Sequence, residues 1–229
     1  MTLAKPDRIL RWHLVVIAAL ASAHVAVIAA ASMGHMRLLG LHRQFSLVQE
    51  SNIPTTIAAL ALIMAAILAG IVSRLETRAV WRRGWLGVAI ALAFMAIDEA
   101  AQVHEMFSLI SLGSMEGNEH SYNWVAAYAA FTLIVGLYFF HFWLSLPPGI
   151  KSGLALAGGI FVASAIGMEI VEMAILHLYG VGIFYTATGQ LVLFVEEVGE
   201  MIGVAVANYT ILRRLHALTP EGATLQWSR

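Results

Sequence analysis

From Trp12 to Ser32 the chain runs 21 residues without one charged side chain, and comparable stretches recur along its length. About 20 apolar residues are what a helix needs to cross the hydrocarbon of a bilayer, where every backbone polar group must be satisfied inside the helix. In order, the apolar runs predict six spans at about 12–32, 53–72, 85–105, 122–146, 153–178 and 190–212. Pro54 suits the first turn of the second span. Pro147, Pro148 and Gly149 mark a sharp turn between the fourth and fifth, and Arg213 and Arg214 stop the sixth. Trp124 and Trp143 stand near the ends of the fourth, as interfacial aromatics do. The first run is longer than the core of a signal peptide and is read as retained. The expected fold class is all-α: a polytopic integral membrane protein, a six-transmembrane-helix bundle forming a single transmembrane domain over 1–229.

Composition excludes the main rivals. With 60% hydrophobic and 12% charged residues and a mean hydropathy of +0.80, the chain is too apolar for a soluble domain. A net charge of -1 gives no basis for nucleic-acid binding. With no cysteine there are no disulfides, thiolate metal sites or cysteine nucleophiles, so any metal is held by oxygen and imidazole.

Counting Lys and Arg on alternate sides of the six spans gives eleven with both termini, against Arg37 and Arg43 on the other face. The positive-inside rule then puts both termini in the cytoplasm. The expected location is a bacterial inner (plasma) membrane.

Against this apolar background the acidic residues are misplaced. Asp98, Glu99 and Glu105 in DEAAQVHE, Glu169 and Glu172 in GMEIVEM, and Glu196, Glu197 and Glu200 in FVEEVGEM make eight of fourteen acids that lie in or at the ends of spans. No Lys or Arg lies inside a span. The predicted orientation puts all three clusters in one layer, in the outer half of the bilayer on the periplasmic side. Helical spacing makes each a stripe: Asp98, Gln102 and Glu105 at i, i+4 and i+7, Glu169 and Glu172 at i, i+3, Glu196 and Glu200 at i, i+4. Small residues every fourth position, Ala155, Gly159, Ala163 and Gly167 in the fifth span and Gly199, Gly203 and Ala207 in the sixth, suggest how the helices approach.

An ionised side chain at bilayer depth costs at least ~2.5–3.5 kcal/mol, so a group of them needs bound cations, protons or a water-filled cavity. The reading adopted is a metal site with Asp98, Glu99, His104, Glu105, Glu169, Glu172, Glu196, Glu197 and Glu200 as ligands. It is carboxylate-rich like the dinuclear Fe and Mn helical bundles, although no intact Glu-x-x-His is present. Oxygen ligands with some imidazole favour Fe or Mn, with Zn a lesser fit. Haem is not expected, because His24, His104, His141 and His177 offer no pair at equal depth. Beside His104, further imidazoles are offered by His24, His35, His42, His120 and His177.

The expected function is a membrane-embedded metal-dependent enzyme, an oxidoreductase or hydrolase acting on a lipid-like or hydrophobic small molecule, with His104 or Glu105 moving protons. The alternative is a divalent-cation or proton-coupled transporter using the same carboxylates. Asp98-Glu99-x-x-Gln102 and Glu196-Glu197-x-x-Glu200 share a spacing on oppositely directed helices, as inverted repeats would. A third class is an assembly subunit whose acids meet basic residues of a homo-oligomer or membrane-complex partner. Membrane lipids are the surrounding solvent in every case.

Overall fold

The computed structural model describes residues 4–35, 40–103 and 123–219. Among them all regular structure is helical. Helix α1, Pro6–Ser32, starts on a proline whose missing N–H costs nothing in a first turn, and ends where Gly34 takes φ +88°. After the short α2, Leu41–Phe45, a loop leads to α3, Ile53–Leu75, capped by the Asn52 side chain, which accepts the Thr55 N–H at 3.2 Å. Helix α4, Ala79–Ala101, ends where Gln102 turns left-handed, at φ 54°.

Helix α5 is Asn123–Ser145, followed by the prolines that start α6, Pro148–Val162. One six-residue π turn, Ala163–Met168, joins α6 to α7, Glu169–Tyr179. A 3₁₀ turn, Val181–Tyr185, then leads to α8, Ala187–Leu218. The Thr186 hydroxyl caps α8 by accepting the Gly189 N–H, and a Cβ at Gly189 would meet the Ile183 carbonyl.

Among the described residues five helices are long and apolar enough to cross a membrane: Pro6–Ser32, Ile53–Leu75, Ala79–Ala101, Val125–Ser145 and the composite Pro148–Tyr179. The remaining long helix, α8, has 32 residues but carries Glu196, Glu197 and Glu200 in its middle. It is also the most enclosed helix, packed against α1, α3, α6 and the π turn. Asn208, with no exposed surface, donates from Nδ2 to Ala61 O at 3.0 Å and Val204 O at 3.1 Å, tying α8 to α3.

Helices α1, α3 and α8 and the start of α4 outrun the predicted spans for one reason, while α4 stops short of the predicted 105 and α5 stays within 122–146. Apolar composition marks only the part in hydrocarbon, whereas long basic side chains continue a helix at its ends while their charged heads reach water. Arg8 and Arg11 therefore lie in α1, and Arg213 and Arg214 do not stop α8. Arg74, Arg82 and Arg83, expected to form a loop with Arg78, belong to α3 and α4, which leaves a turn of 76–78.

At that turn lies the largest core, where Val72, Trp85, Phe142, Leu146, Ile211 and Leu215 meet. Trp85 and Phe142 pack edge to face with centroids 5.8 Å apart, and Gly84 leaves the space Phe142 fills. Arg214 is buried here against Glu76: Nε donates to Oε1 at 2.7 Å and Nη2 lies 2.6 Å from the same oxygen. The Arg214 guanidinium also sits over Trp81 at 4.7 Å. An arginine expected to face solvent is thus one half of an ion pair inside the bundle, far along α8 from its glutamates.

Candidate functional site

Asp98 and Glu99 occupy the last turn of α4, and Tyr128 on α5 reaches across to donate its hydroxyl to Asp98 Oδ1 at 2.9 Å. Glu169 and Glu172 are in the first turn of α7, directly after the π turn. Each residue added to a helix turns everything beyond it by about 100°, so a π turn resets which way the following side chains point. Glu172 is only 7% exposed and shares a side-chain hydrogen bond with Glu196 of α8.

Helix α8 comes close enough for this because it lacks side chains where it crosses its neighbour. A Cβ on Gly199 would overlap the Ser164 hydroxyl inside the π turn, and one on Gly203 would press on Phe161 and the Ala157 carbonyl. The expected stripe is thus half correct. Gly199 and Gly203 are contact residues, but Gly159 and Gly167 have no atom of another residue near a would-be Cβ, and the opposing surface is Ala157, Phe161 and Ser164. Within this contact Glu196 feels the charges of Glu172, Glu169 and Glu200, and Glu197 those of Glu200, Glu99, Glu50 and Glu172.

Glu50 is the member that sequence reasoning missed. It belongs to the link between α1 and α3, which reads as an ordinary polar connection. Residues 46–52 instead fold inward. Leu47 is buried, and its N–H donates to His24 Nδ1 of α1 at 3.0 Å. Asn52 Nδ2 donates to Ser46 O at 2.6 Å, and also to the Gln49 carbonyl. Ser51 takes φ 56°, a left-handed conformation that is uncommon for a residue other than glycine and that persists where its surroundings enforce it. The signals available were Asn52 before Pro54, a helix start, and one acid among the apolar and polar residues of LVQESN. Asn52→Ala should cost about 2 kcal/mol, the upper end for a lost N-cap, because the loop bonds go with the cap. The unfolding midpoint in detergent measures it; an unchanged midpoint would mean the loop is held by other contacts.

All these groups line one cavity of about 1030 Å³: Glu50, Asp98, Glu99, Glu169, Glu172, Glu196, Glu197 and Glu200. No Lys or Arg among the described residues lines it. Away from the acids the walls are apolar, with Phe94, Phe131, Phe139 and Phe161 around the middle and Leu154 and Ile211 farther along.

Among the described residues no three His, Asp or Glu side chains form a ready-made metal ligand set. The oxygens share a chamber without closing on a point. His24 is committed elsewhere: its Nδ1 accepts the Leu47 N–H, which leaves the proton on Nε2, and its ring stacks on Phe194 at 5.6 Å. His35, His42, His141 and His177 do not line the cavity. His104, Glu105 and His120 lie outside the described residues. The stripe from Asp98 through Gln102 to Glu105 does not run along one helix, because the left-handed Gln102 ends α4. The same break removes the match between Asp98-Glu99-x-x-Gln102 and Glu196-Glu197-x-x-Glu200, whose second copy is continuous helix.

A family model, described as a domain of unknown function, DUF8692, matches residues 12–215. The chain belongs to the DUF8692 family. The matched region takes in every residue that lines the chamber, from Val48 to Ile211. No curated protein and no solved structure matches the chain.

Proposed function

We propose that this DUF8692 protein is an integral membrane metalloprotein, in which the carboxylate chamber binds divalent ions and the apolar gallery beside it receives a lipid-like or hydrophobic substrate. The observation that carries the reading is the meeting of eight carboxylates, from three helical segments and an inward loop, in one cavity lined by no described Lys or Arg. Acidic groups at bilayer depth need compensation, and no described Lys or Arg lines this wall to supply it. The donor chemistry is all oxygen, which suits Fe or Mn before Zn. Loading would draw the side chains together by rotation, since no ligand set stands preformed.

On this reading α8 is the sixth span, tolerated in lipid because its glutamates face the chamber. The basic residues at the helix ends support an orientation with both termini in the cytoplasm and the chamber toward the periplasmic side of a bacterial inner membrane. A bound metal would supply a Lewis acid for water or a centre for oxygen activation. The chain's own part is to exclude bulk water, orient the substrate and carry protons, with Glu50 added to the ligand candidates and His104 and Glu105 kept as proposed proton carriers. The walls beyond the glutamates, at Gly203, Val204, Ala207 and Ile211, hold no ionisable group. That favours housing a hydrophobic chain over passing an ion, and so favours the enzyme over the transporter.

Elemental analysis of the purified protein after loading with Fe or Mn tests this. The wild type should hold at least stoichiometric metal, and the Glu169→Gln, Glu197→Gln double variant at least about tenfold less at the same free metal concentration, in line with losses at perturbed metal sites. Equal, near-zero metal in both would leave protons as the compensating charge and end the metalloprotein reading. Uptake of labelled divalent ions into proteoliposomes would replace the enzyme by the transporter.

A further inference from the structure

The sign of the walls restricts what the gallery accepts. This step rests on reading the cavity as a substrate chamber and asks which headgroup that substrate carries. The cavity has two parts, a carboxylate end and an apolar gallery walled by aliphatic and aromatic side chains, among them those of α4 and α5. Phe139 of α5 fills the space that Gly87 of α4 leaves open, and Phe94 and Phe131 face one another at 6.0 Å. Tyr138, on the same wall, is 80% exposed, so the gallery is open there and not sealed. At about 1030 Å³ the volume is at the upper limit of ordinary small-molecule sites, enough for a long hydrocarbon chain with its headgroup.

The carboxylate end offers acceptors and, among the described residues, no cationic side chain. Two divalent ions, the number held by dinuclear carboxylate bundles, would balance four of the eight carboxylates. A phosphate or carboxylate head would therefore enter against like charge. A second observation indicates that a donor is wanted: Glu172 is only 7% exposed and lines the cavity, and although its side chain meets the Glu196 carboxyl, its Oε1 has no hydrogen-bond partner. A buried acceptor left unmatched loses its solvation without return, which a ligand N–H or O–H would recover.

We propose that the gallery selects a single-chain amphiphile with a cationic amine head, the amine lying among Glu172 and its neighbouring carboxylates and the chain along Phe94, Phe131 and Phe139. The amine donates to the acidic end, and the hydrocarbon takes the rest of the volume. An anionic lipid of equal length finds the same gallery and the wrong charge.

The test compares radiolabelled octadecylamine and stearate, equal in chain length and opposite in head charge, for binding to the full chain in neutral detergent. Metal content is measured on the same samples. Octadecylamine should bind at least tenfold more tightly than stearate, and Glu172→Gln should shrink that preference several-fold, chiefly by weakening the amine. Stearate binding as tightly as the amine would overturn the proposal without any variant. So would a preference untouched by Glu172→Gln in a sample of unchanged unfolding midpoint. Stoichiometric metal with no amine preference sinks this inference alone; an amine preference in metal-free protein supports it while the metalloprotein reading fails.

Discussion

Glu76→Ala should destabilise the folded protein by about 3–5 kcal/mol, because it leaves the Arg214 guanidinium buried without its counter-charge. Both partners are enclosed, Glu76 at 4% and Arg214 at 9% exposure, among Val72, Trp85, Ile211 and Leu215. Surface pairs contribute less than about 1 kcal/mol, so burial decides the size of the effect. Replacing both residues, as in Glu76→Met with Arg214→Leu, should recover most of the loss, since the desolvation of two charges goes with them. The unfolding midpoint in detergent reads both variants. A single variant within about 1 kcal/mol of wild type would show that water or Trp81 already compensates Arg214. The pair closes the end of the bundle away from the carboxylates, so metal binding per folded molecule should not change.

That ion pair also shows where sequence reading stops. Arg214 follows a long apolar stretch and looks like a charge marking the membrane surface; nothing local distinguishes it from Arg213, which is exposed. Its burial depends on Glu76, 138 residues away, reaching the same point from another turn. Glu50 escaped notice for the mirror-image reason. An acid inside an apolar run is conspicuous because lipid penalises it, whereas an acid in a polar link is unremarkable until the link folds inward. What makes it fold inward is the His24 to Leu47 bond and the Asn52 network, again long-range.

The convergence of Asp98, Glu99, Glu169, Glu172, Glu196, Glu197 and Glu200 was legible because two quantities available in sequence control it. Depth follows from distance along a helix at 1.5 Å per residue, and facing follows from the spacing of 3 or 4. Spacing determines facing only along a regular helix. That regularity ends at the left-handed Gln102 and is interrupted by the π turn ahead of Glu169, neither of which spacing reveals. The small-residue stripe failed in α6 likewise, since abundance of glycine and alanine does not say which face a neighbour covers. In α8 the acids supplied that face, and Gly199, flanked by Glu196, Glu197 and Glu200, was the contact.

Two glycine variants turn this into a measurement. Gly159→Ala, with no atom of another residue near its Cβ, should be neutral or stabilising by about 0.5–1 kcal/mol, the usual gain of removing glycine from a helix. Gly199→Ala places the same methyl group onto the Ser164 hydroxyl and should destabilise by about 1–3 kcal/mol, the range for overpacking. The larger consequence concerns the site. Where rotation of Ser164 does not relieve the overlap, α8 and the π turn must part, which carries Glu169 and Glu172 away from Glu196, Glu197 and Glu200 and, on the proposed metalloprotein reading, lowers the metal held by the folded fraction. Adding Ser164→Gly removes the obstructing side chain and should restore both midpoint and metal toward wild type. If Gly199→Ala proves as silent as Gly159→Ala, the two helices do not rest on that glycine, and the closeness of the carboxylates must come from elsewhere in the bundle.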